Sequence, residues 1–240
     1  MNSQKSLSIV IPVYNEEEIV EQKLLQIVEV SKSFSFPYEI LVINDGSTDT
    51  TPSILNKLTL GILKDKIRLF HSEKNSGIGA SYTQGIKNAR MEYVMFLAID
   101  LIFSNEYFSP FINNMGKADV LVGIREYRSG YNVLMRFNSW LYIKMVQIIF
   151  KLGLKDVNWI CIYPKKILEQ VEIQFKGIVM MVEILVKCRD LNATFMEIPT
   201  EQHKRTTERK SSSARLDVMI RTLFDLIKFS CSYHFHLRNK

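Results

Sequence analysis

The chain has 240 residues, of which 47% are hydrophobic and 23% are charged, a balance typical of a globular protein with a substantial core. Its three cysteines are scattered and odd in number, which argues against a disulfide framework and favours a reducing cytoplasm. The N-terminus has no signal-peptide pattern, and no charge-free apolar window of about 18 residues predicts a transmembrane helix. Secreted disulfide-rich and membrane-spanning classes are therefore not expected.

The net charge of +6 is concentrated at the C-terminal end. From His203 onward the chain holds nine basic and three acidic residues, so the remainder is neutral. A basic tail on a neutral body favours an anionic partner such as phosphate or anionic lipid, although a solvated tail is an equally simple interpretation. Nucleic acid is not expected, because the cluster of basic residues at 203–215 contains no Phe, Tyr or Trp side chains on which bases could stack.

The first half of the chain alternates predicted strands with predicted helices. An apolar run at 7–13 predicts a buried strand, and helical spacing over 16–30 follows, with Asn15 as a possible cap. The next elements are a strand at 39–43, a helix at 49–60, a strand at 67–71, a helix at 77–89 and a strand at 93–99. This alternation predicts an α/β fold with a mostly parallel central sheet and helices on both faces.

The second half is less regular. The predicted strands are 119–123, 159–163 and 194–198, and the predicted helices are 137–151, 178–188 and 215–229. A polar stretch at 206–213 is expected to be a mobile loop. We expect one nucleotide-binding domain over 1–212, followed by an amphipathic helix and basic tail over 213–240.

Polar residues gather where the first, second and fourth predicted strands end. The first ends in Pro12-Val13-Tyr14-Asn15-Glu16, the second in Asn44-Asp45-Gly46-Ser47, and the fourth in Asp100. These ends are neighbours in a doubly wound sheet, so the side chains can converge on one ligand. Asp45 could accept from a base N–H or a ribose hydroxyl, and Asp100 could bind a divalent cation beside a diphosphate. Each motif taken singly is also an ordinary turn or helix cap.

The order of these motifs, with Asn75-Ser76-Gly77-Ile78-Gly79-Ala80 after them, resembles the signatures of family 2 glycosyltransferases. The likeness extends over roughly residues 7 to 215 and is greatest to the branch that contains dolichol-phosphate mannose synthase. It implies a GT-A fold, Rossmann-like in its nucleotide-binding half, and a nucleotide-diphosphate sugar donor carrying uridine or guanosine. The donor site it implies consists of Pro12, Tyr14, Asn15, Glu16, Asp45, Gly46, Ser47 and Gly77.

The sequence departs from the family pattern at the Asp-x-Asp motif, which here reads Ala98-Ile99-Asp100. The resemblance implies that Asp100 is the remaining ligand of a weakened site for Mg²⁺ or Mn²⁺. A cation held by one carboxylate must take its other oxygens from diphosphate and water. The missing carboxylate also leaves open a non-catalytic module that only binds nucleotide sugars.

The resemblance further implies that Arg125, Arg136 and Arg205 hold an acceptor phosphate, with Arg128 and His203 as helpers. Guanidinium groups suit phosphate oxygens, and an anionic acceptor needs no general base. Relatives that use hydroxyl acceptors carry a Glu-Asp pair, and this chain has Val182-Glu183 there. We therefore expect inverting transfer to a polyprenyl (dolichyl-type) phosphate. Transfer to a glycan hydroxyl is the second enzymatic interpretation.

Two amphipathic helices bear on where such an acceptor is met. Both the helix at 137–151 and the helix at 215–229 carry a broad apolar face, which could pack on the core, on a second subunit or in a membrane interface. With the basic tail and a lipid acceptor, we expect a cytoplasmic protein in peripheral contact with the inner face of the membrane. The oligomeric state is left open.

Overall fold

A computed structural model describes residues 5–101, 103–128, 131–202 and 216–238. Seven strands form one sheet in the order β3-β2-β1-β4-β6-β5-β7. They are β1 (Leu7–Val13), β2 (Tyr38–Asn44), β3 (Ile67–His71), β4 (Tyr93–Phe96), β5 (Val120–Arg128), β6 (Cys161–Pro164) and β7 (Phe195–Gln202). The helices are α1 (Val20–Ser31), α2 (Thr51–Leu60), α3 (Ile78–Asn88), α4 (Asn105–Asn114), α5 (Val133–Phe150), α6 (Lys165–Leu168), α7 (Val179–Asp190) and α8 (Leu216–Arg238).

The pairing directions place most strand ends at one edge of the sheet. Strands β1 to β4 are mutually parallel, β6 runs antiparallel to both β4 and β5, and β7 is parallel to β5. The carboxyl ends of β1, β2, β3, β4, β5 and β7 therefore share an edge, and the chain enters β6 from that same edge. The predicted fold class, a mostly parallel sheet covered by helices on both faces, is confirmed.

The sheet is covered on both faces, which explains why its central strands are continuous apolar runs. One core lies between the sheet and helices α3, α5, α6, α7 and α8, and the other lies between the sheet and α1, α2 and α4. Six of the seven residues of β1 are buried, as are the last five of β2. Full burial of each large aliphatic side chain stabilises the fold by about 1.5–3 kcal/mol, so these strands are rigid supports for the turns that follow them.

Several predicted boundaries are wrong. Helix α1 begins at Val20 rather than at residue 16, and Asn15 does not cap it because its backbone is left-handed, with φ 52°. Helix α5 begins one turn earlier than predicted, because Asn132 caps it by accepting a hydrogen bond from the Met135 N–H at 2.8 Å. Strand β4 ends at Phe96, although the Leu97 N–H still donates to the Val10 carbonyl at 3.0 Å. The predicted loop at 206–213 lies outside the described residues.

Helix α4 was not predicted from the sequence. It contains Pro110 and buries only Phe108 and Phe111, so its apolar period is too short to be recognised. The Ser104 hydroxyl caps it by accepting from the Tyr107 N–H at 3.2 Å. The helix is therefore recognised only in the structure, where its two phenylalanines pack in the core.

Helix α8 is attached to the main body by aromatic contacts. It buries Leu226 and Phe229, and the Phe229 ring stacks on Phe150 of α5 with a centroid distance of 4.7 Å. Arg189 of α7 donates to the Tyr233 hydroxyl at 2.6 Å. No helix within the described ranges is both long enough and apolar enough to cross a bilayer.

Candidate functional site at the carboxyl edge of the sheet

The turns that follow β1, β2 and β4 lie side by side. Val13 pairs with Asn44 at the ends of β1 and β2, and the Asp45 N–H donates to the Val13 carbonyl at 2.9 Å. On the other side β4 pairs with β1, so the turn that carries Asp100 leaves the sheet next to Tyr14. The topology thus brings together the three motifs that the sequence analysis singled out.

The turns after β1 and β2 are joined by a polar network. The Asn15 carboxamide oxygen accepts from the Thr48 N–H at 2.8 Å, and the Asn15 N–H donates to the Ser47 hydroxyl at 3.0 Å. The Glu16 N–H donates to the Thr51 hydroxyl at 2.9 Å. Asparagine tolerates the left-handed backbone seen here, so Asn15 links two turns and fixes their relative position. This role was not recognised from the sequence, where Asn15 resembled a helix cap.

Tyr14 presents an aromatic ring at this edge. Its side chain is 43% exposed, although it directly follows the fully buried end of β1. Pro12 lies one residue further back in β1, opposite Ile43 of β2. An exposed ring on a rigid strand end can stack on a planar base at little entropic cost.

Asp45 is used by the fold in a way that the sequence did not reveal. Its side chain is buried, and its two oxygens accept from the Ser76 N–H and the Gly77 N–H, each at 2.9 Å. Hydrogen bonds from amides to a carboxylate are stronger than neutral ones, so Asp45 anchors the segment that leads into α3. A contact between Asp45 and a base or ribose stays a prediction, and it would use lone pairs that these two amides leave available.

Two positions require glycine because another backbone segment lies too close to leave room for a Cβ atom. Gly46 has φ 65°, and a Cβ there would lie 2.4 Å from the carbonyl carbon of Lys74. Gly77 has φ 88°, and a Cβ there would lie 2.9 Å from the carbonyl oxygen of Lys176. The loop before α3 therefore fits between the turn after β2 and a segment that precedes α7.

That segment, residues 174–176, is held in turn by Glu183. The carboxylate is fully buried, accepts from the Gln174 and Phe175 N–H groups at 3.0 Å each, and pairs with Lys187 at 2.7 Å. The Gly79 N–H donates to the Lys176 carbonyl at 3.1 Å. Glu183 is thus a structural support for the donor side of the site, and its burial and its partners do not suit a general base.

Asp100 lies in a tight turn after β4. The Leu101 N–H donates to the Ala98 carbonyl at 3.2 Å and closes the turn. Lys23 of α1 reaches the same turn, since its ammonium donates to the Leu101 carbonyl at 3.2 Å while its side chain is only 4% exposed. Burial lowers the pKa of Lys23, and the nearby Asp100 carboxylate partly offsets that by raising it. Lys23 was not singled out from the sequence.

These residues do not build a divalent-cation site of their own. Across the described ranges, no three His, Cys, Asp or Glu side chains cluster as metal ligands do. Ala98 offers only a methyl group where the family motif has its first carboxylate, and a buried ammonium lies behind the turn that carries Asp100. Mg²⁺ is commonly held by one or two carboxylates together with substrate phosphates and water, so Asp100 could serve as a ligand only if the diphosphate and water supplied the other oxygens. The weakened Mg²⁺ or Mn²⁺ site stays a prediction.

Arg125 has an intramolecular partner. Its Nε and Nη2 atoms donate to the two oxygens of Asp156 at 2.6 and 2.7 Å, and its guanidinium lies 4.8 Å from the Trp159 ring centroid. Burial lowers the pKa of Arg125, but the Asp156 carboxylate outweighs this, so the pKa is raised overall. The predicted contact of Arg125 with an acceptor phosphate stays a prediction. In the structure its guanidinium is buried and paired with Asp156.

The same network ties the ends of β5 and β7 together. The indole N–H of Trp159 lies 2.8 Å from the Tyr107 hydroxyl and 3.0 Å from the Thr200 hydroxyl, which itself donates to the Ile124 carbonyl at 3.0 Å. The network therefore fixes β7, the strand that precedes His203 and Arg205 in the sequence.

Of the remaining predicted acceptor residues, Arg136 has a side chain that the structure describes. Arg136 is exposed in the first turn of α5. The side chain of Arg128 lies outside what the structure describes, as do His203 and Arg205. The structure thus brings together the turns that carry the predicted donor residues, whose roles stay a prediction, as does the arginine cluster.

Sequence comparison now decides the family. The model of glycosyl transferase family 2 matches residues 8–171, which is more than half of the chain. The chain belongs to glycosyl transferase family 2. The matched region spans β1 to β6 and so includes the turns after β1, β2 and β4.

Curated relatives match the family 2 domain over part of their length. An uncharacterized glycosyltransferase of Rickettsia felis is 37% identical over 117 residues, covering 47% of this chain and 18% of the relative. An uncharacterized glycosyltransferase of Haemophilus influenzae is 34% identical over 110 residues, covering 45% of this chain and 42% of the relative. Glycosyltransferase AglD of Haloferax volcanii is 28% identical over 123 residues, covering 50% of this chain and 19% of the relative. The matches therefore span less than half of each relative.

Solved structures establish the same fold. Glucosyl-3-phosphoglycerate synthase from Mycobacterium tuberculosis, solved with Mn²⁺, UDP and glucosyl-3-phosphoglycerate, superposes with a TM-score of 0.71 at 16% identity, covering 95% of this chain and 80% of that one. Residues 1–349 of TarS from S. aureus superpose with a TM-score of 0.56 at 21% identity, covering 82% of this chain and 60% of that one. The GT-A prediction is confirmed, whereas the dolichol-phosphate mannose synthase branch stays a prediction.

Proposed function

We propose that this family 2 protein takes a sugar from a nucleotide-diphosphate donor and transfers it to a polyprenyl phosphate at a membrane surface. The observation that carries the proposal is the junction of the turn after β1, the turn after β2 and the segment before α3, which the Asn15 and Asp45 hydrogen bonds fix in one arrangement next to strand β4. A prearranged set of donors and an exposed ring can bind a nucleotide without first ordering a loop.

In this proposal the donor half of the site binds and orients the nucleotide. Tyr14 stacks on the base, and Glu16 and Asp45 accept hydrogen bonds from the nucleoside. Glucosyl-3-phosphoglycerate synthase has been solved with UDP and UDP-glucose, which supports a nucleotide-sugar donor. Uridine and guanosine donors are both retained.

The phosphate acceptor is supported by chemistry. A phosphate is already anionic and can attack without a general base, whereas a hydroxyl needs one. Glu183 is fully buried and bonded to two backbone amides and Lys187, so it does not suit that task. In the proposal, Arg136 and Arg205 position the acceptor phosphate and offset its repulsion from the donor diphosphate. Arg125 shapes this side of the site through Asp156 and Trp159.

Contact with a membrane is supported by the surface of α5. Its exposed side chains include a continuous apolar face, and the helix contains no acidic residue. The face consists of Val133, Leu134, Phe137, Trp140, Leu141 and Ile148. Arg136 and Lys144 are also exposed on this helix and would meet anionic headgroups. Helix α8 exposes a comparable face that includes Ile220, Phe224 and Ile227.

The test is transfer of radiolabelled sugar from a panel of uridine and guanosine diphosphate sugars to polyprenyl phosphate in liposomes, or to soluble glycans. We expect label to enter the organic phase from one donor, and Tyr14→Ala to reduce that transfer. Label in the soluble glycan alone would replace the acceptor with a hydroxyl. Nucleotide binding without any transfer would favour a non-catalytic module, the interpretation that Ala98 supports.

A further inference from the structure

A buried lysine lies behind the turn that carries the residual Asp-x-Asp carboxylate. Lys23 projects from the first turn of α1, and its ammonium donates to the Leu101 carbonyl at 3.2 Å. The side chain is only 4% exposed, so it is not one of the solvated lysines of the surface. A buried ammonium carries a large desolvation cost and is retained only where nearby groups stabilise its charge.

Two groups of the turn at 98–101 stabilise its charge. One is the Leu101 carbonyl, and the other is the Asp100 carboxylate, whose charge is close enough to act on the ammonium. Together Lys23 and Asp100 have no net charge. A motif with two aspartates would place two negative charges at the same position and would repel a diphosphate unless a divalent cation intervened.

We propose that Lys23 offsets the charge of Asp100, a task that a divalent cation performs in Asp-x-Asp sites, so that the donor diphosphate binds without a metal. This inference rests on the proposed function, since it assumes a nucleotide donor at this edge. Lys23 is a positioning residue here: it holds the turn through Leu101 and cancels the charge of Asp100. The loss of the first carboxylate at Ala98 and the presence of the buried lysine are then one adaptation.

The expected effect is large enough to measure. If the diphosphate binds within about 10 Å of the ammonium, at an effective dielectric constant of roughly 20, the charge changes the binding constant by about an order of magnitude. A purely structural lysine would affect folding but would not determine how binding responds to Mg²⁺. The metal dependence of binding is therefore the decisive measurement.

The experiment is calorimetric titration of the intact chain with UDP and with GDP, in EDTA and in MgCl₂. We expect the unaltered chain to bind one of them with a Kd that differs by no more than about threefold between the two conditions. Lys23→Met keeps the length of the side chain and removes the charge, so it should weaken binding in EDTA by about tenfold, and Mg²⁺ should restore most of the loss. Lys32→Met, at the other end of α1 and 53% exposed, is the matched control and should bind as the unaltered chain does.

Ala98→Asp makes the same test without altering Lys23. It restores the second carboxylate, so binding in EDTA should fall by about tenfold and become dependent on Mg²⁺. Loss of binding by the unaltered chain in EDTA would overturn the inference, as would equal affinities of Lys23→Met in EDTA and MgCl₂. If the unaltered chain bound neither nucleotide in either condition, the proposed function itself would fail.

Discussion

Two parts of the carboxyl edge of this sheet are built in different ways. After the ligands predicted for them, we call the part at β1, β2 and β4 the donor edge and the part at β5 and β7 the acceptor edge. At the donor edge, short turns follow β1, β2 and β4, and neighbouring backbone amides and hydroxyls satisfy their side chains. At the acceptor edge, the ends of β5 and β7 are joined by the buried pair Arg125–Asp156 and by Trp159. Short turn residues are positioned by the pairing of the strands that precede them. Long charged side chains, in contrast, can reach partners on distant elements of the fold. The arrangement of short turn residues is therefore easier to predict from sequence than the partners of long charged side chains.

The largest expected effect comes from breaking the ion pair at the acceptor edge. Arg125→Met leaves the Asp156 carboxylate buried without its guanidinium, which should lower the free energy of unfolding by about 3–5 kcal/mol. Urea denaturation of Arg125→Met, Asp156→Asn and the double variant measures the coupling, which we expect to be about 2 kcal/mol or more. If the losses in unfolding free energy of the two single variants were additive, Arg125 and Asp156 would not be coupled. Arg125 would then remain a candidate for binding the acceptor phosphate.

The corresponding variant at the donor edge is Asp45→Ala. It removes the acceptor of the Ser76 and Gly77 N–H groups, so we expect a loss of about 2–3 kcal/mol in the free energy of unfolding. Nucleotide binding, followed by calorimetry, should become undetectable as the segment before α3 loosens. Glu73→Ala, an exposed carboxylate three residues before Ser76, is the control and should change stability by less than about 0.5 kcal/mol. An Asp45 variant as stable as this control would contradict the anchoring role.

The close approach at Gly46 should cost somewhat less. A Cβ at this position would lie 2.4 Å from the Lys74 carbonyl carbon, and φ 65° is unfavourable for alanine, so Gly46→Ala should lose about 2 kcal/mol. Gly153→Ala is the matched control, because no heavy atom lies within 4 Å of its Cβ position, and it should be neutral or slightly stabilising. Thermal unfolding of both variants checks the difference, and equal melting temperatures would argue against the tight fit.

The smallest effect on stability is expected at the exposed face of α5. Trp140 is 54% exposed, so Trp140→Gln should change the free energy of unfolding by less than about 0.5 kcal/mol. It should nevertheless reduce flotation with liposomes that contain phosphatidylglycerol, because an interfacial aromatic is lost. Leu60→Gln on α2, where the leucine is 81% exposed, is the control and should float as the unaltered chain does. Unchanged flotation of Trp140→Gln would remove α5 from the proposed membrane surface.

Local sequence patterns were enough to predict the alternation of strands and helices, the sheet class and the positions of the turn motifs. These follow from local information: apolar runs that must be buried, turn residues that tolerate unusual backbone angles, and parallel strands whose ends must meet at one edge. Helix α4 escaped recognition because Pro110 interrupts a short pattern that only the core explains.

The partners of the charged residues depend on how the elements pack. The pairing of Arg125 with Asp156, the amides bound by Asp45, and the placement of Lys23 against Leu101 each join residues far apart in the chain. A long charged side chain can reach several neighbours. When it is buried, the favoured arrangement is the one in which a partner offsets the free-energy cost of its desolvation. That choice depends on how helices pack on the sheet, which no local pattern in the sequence records.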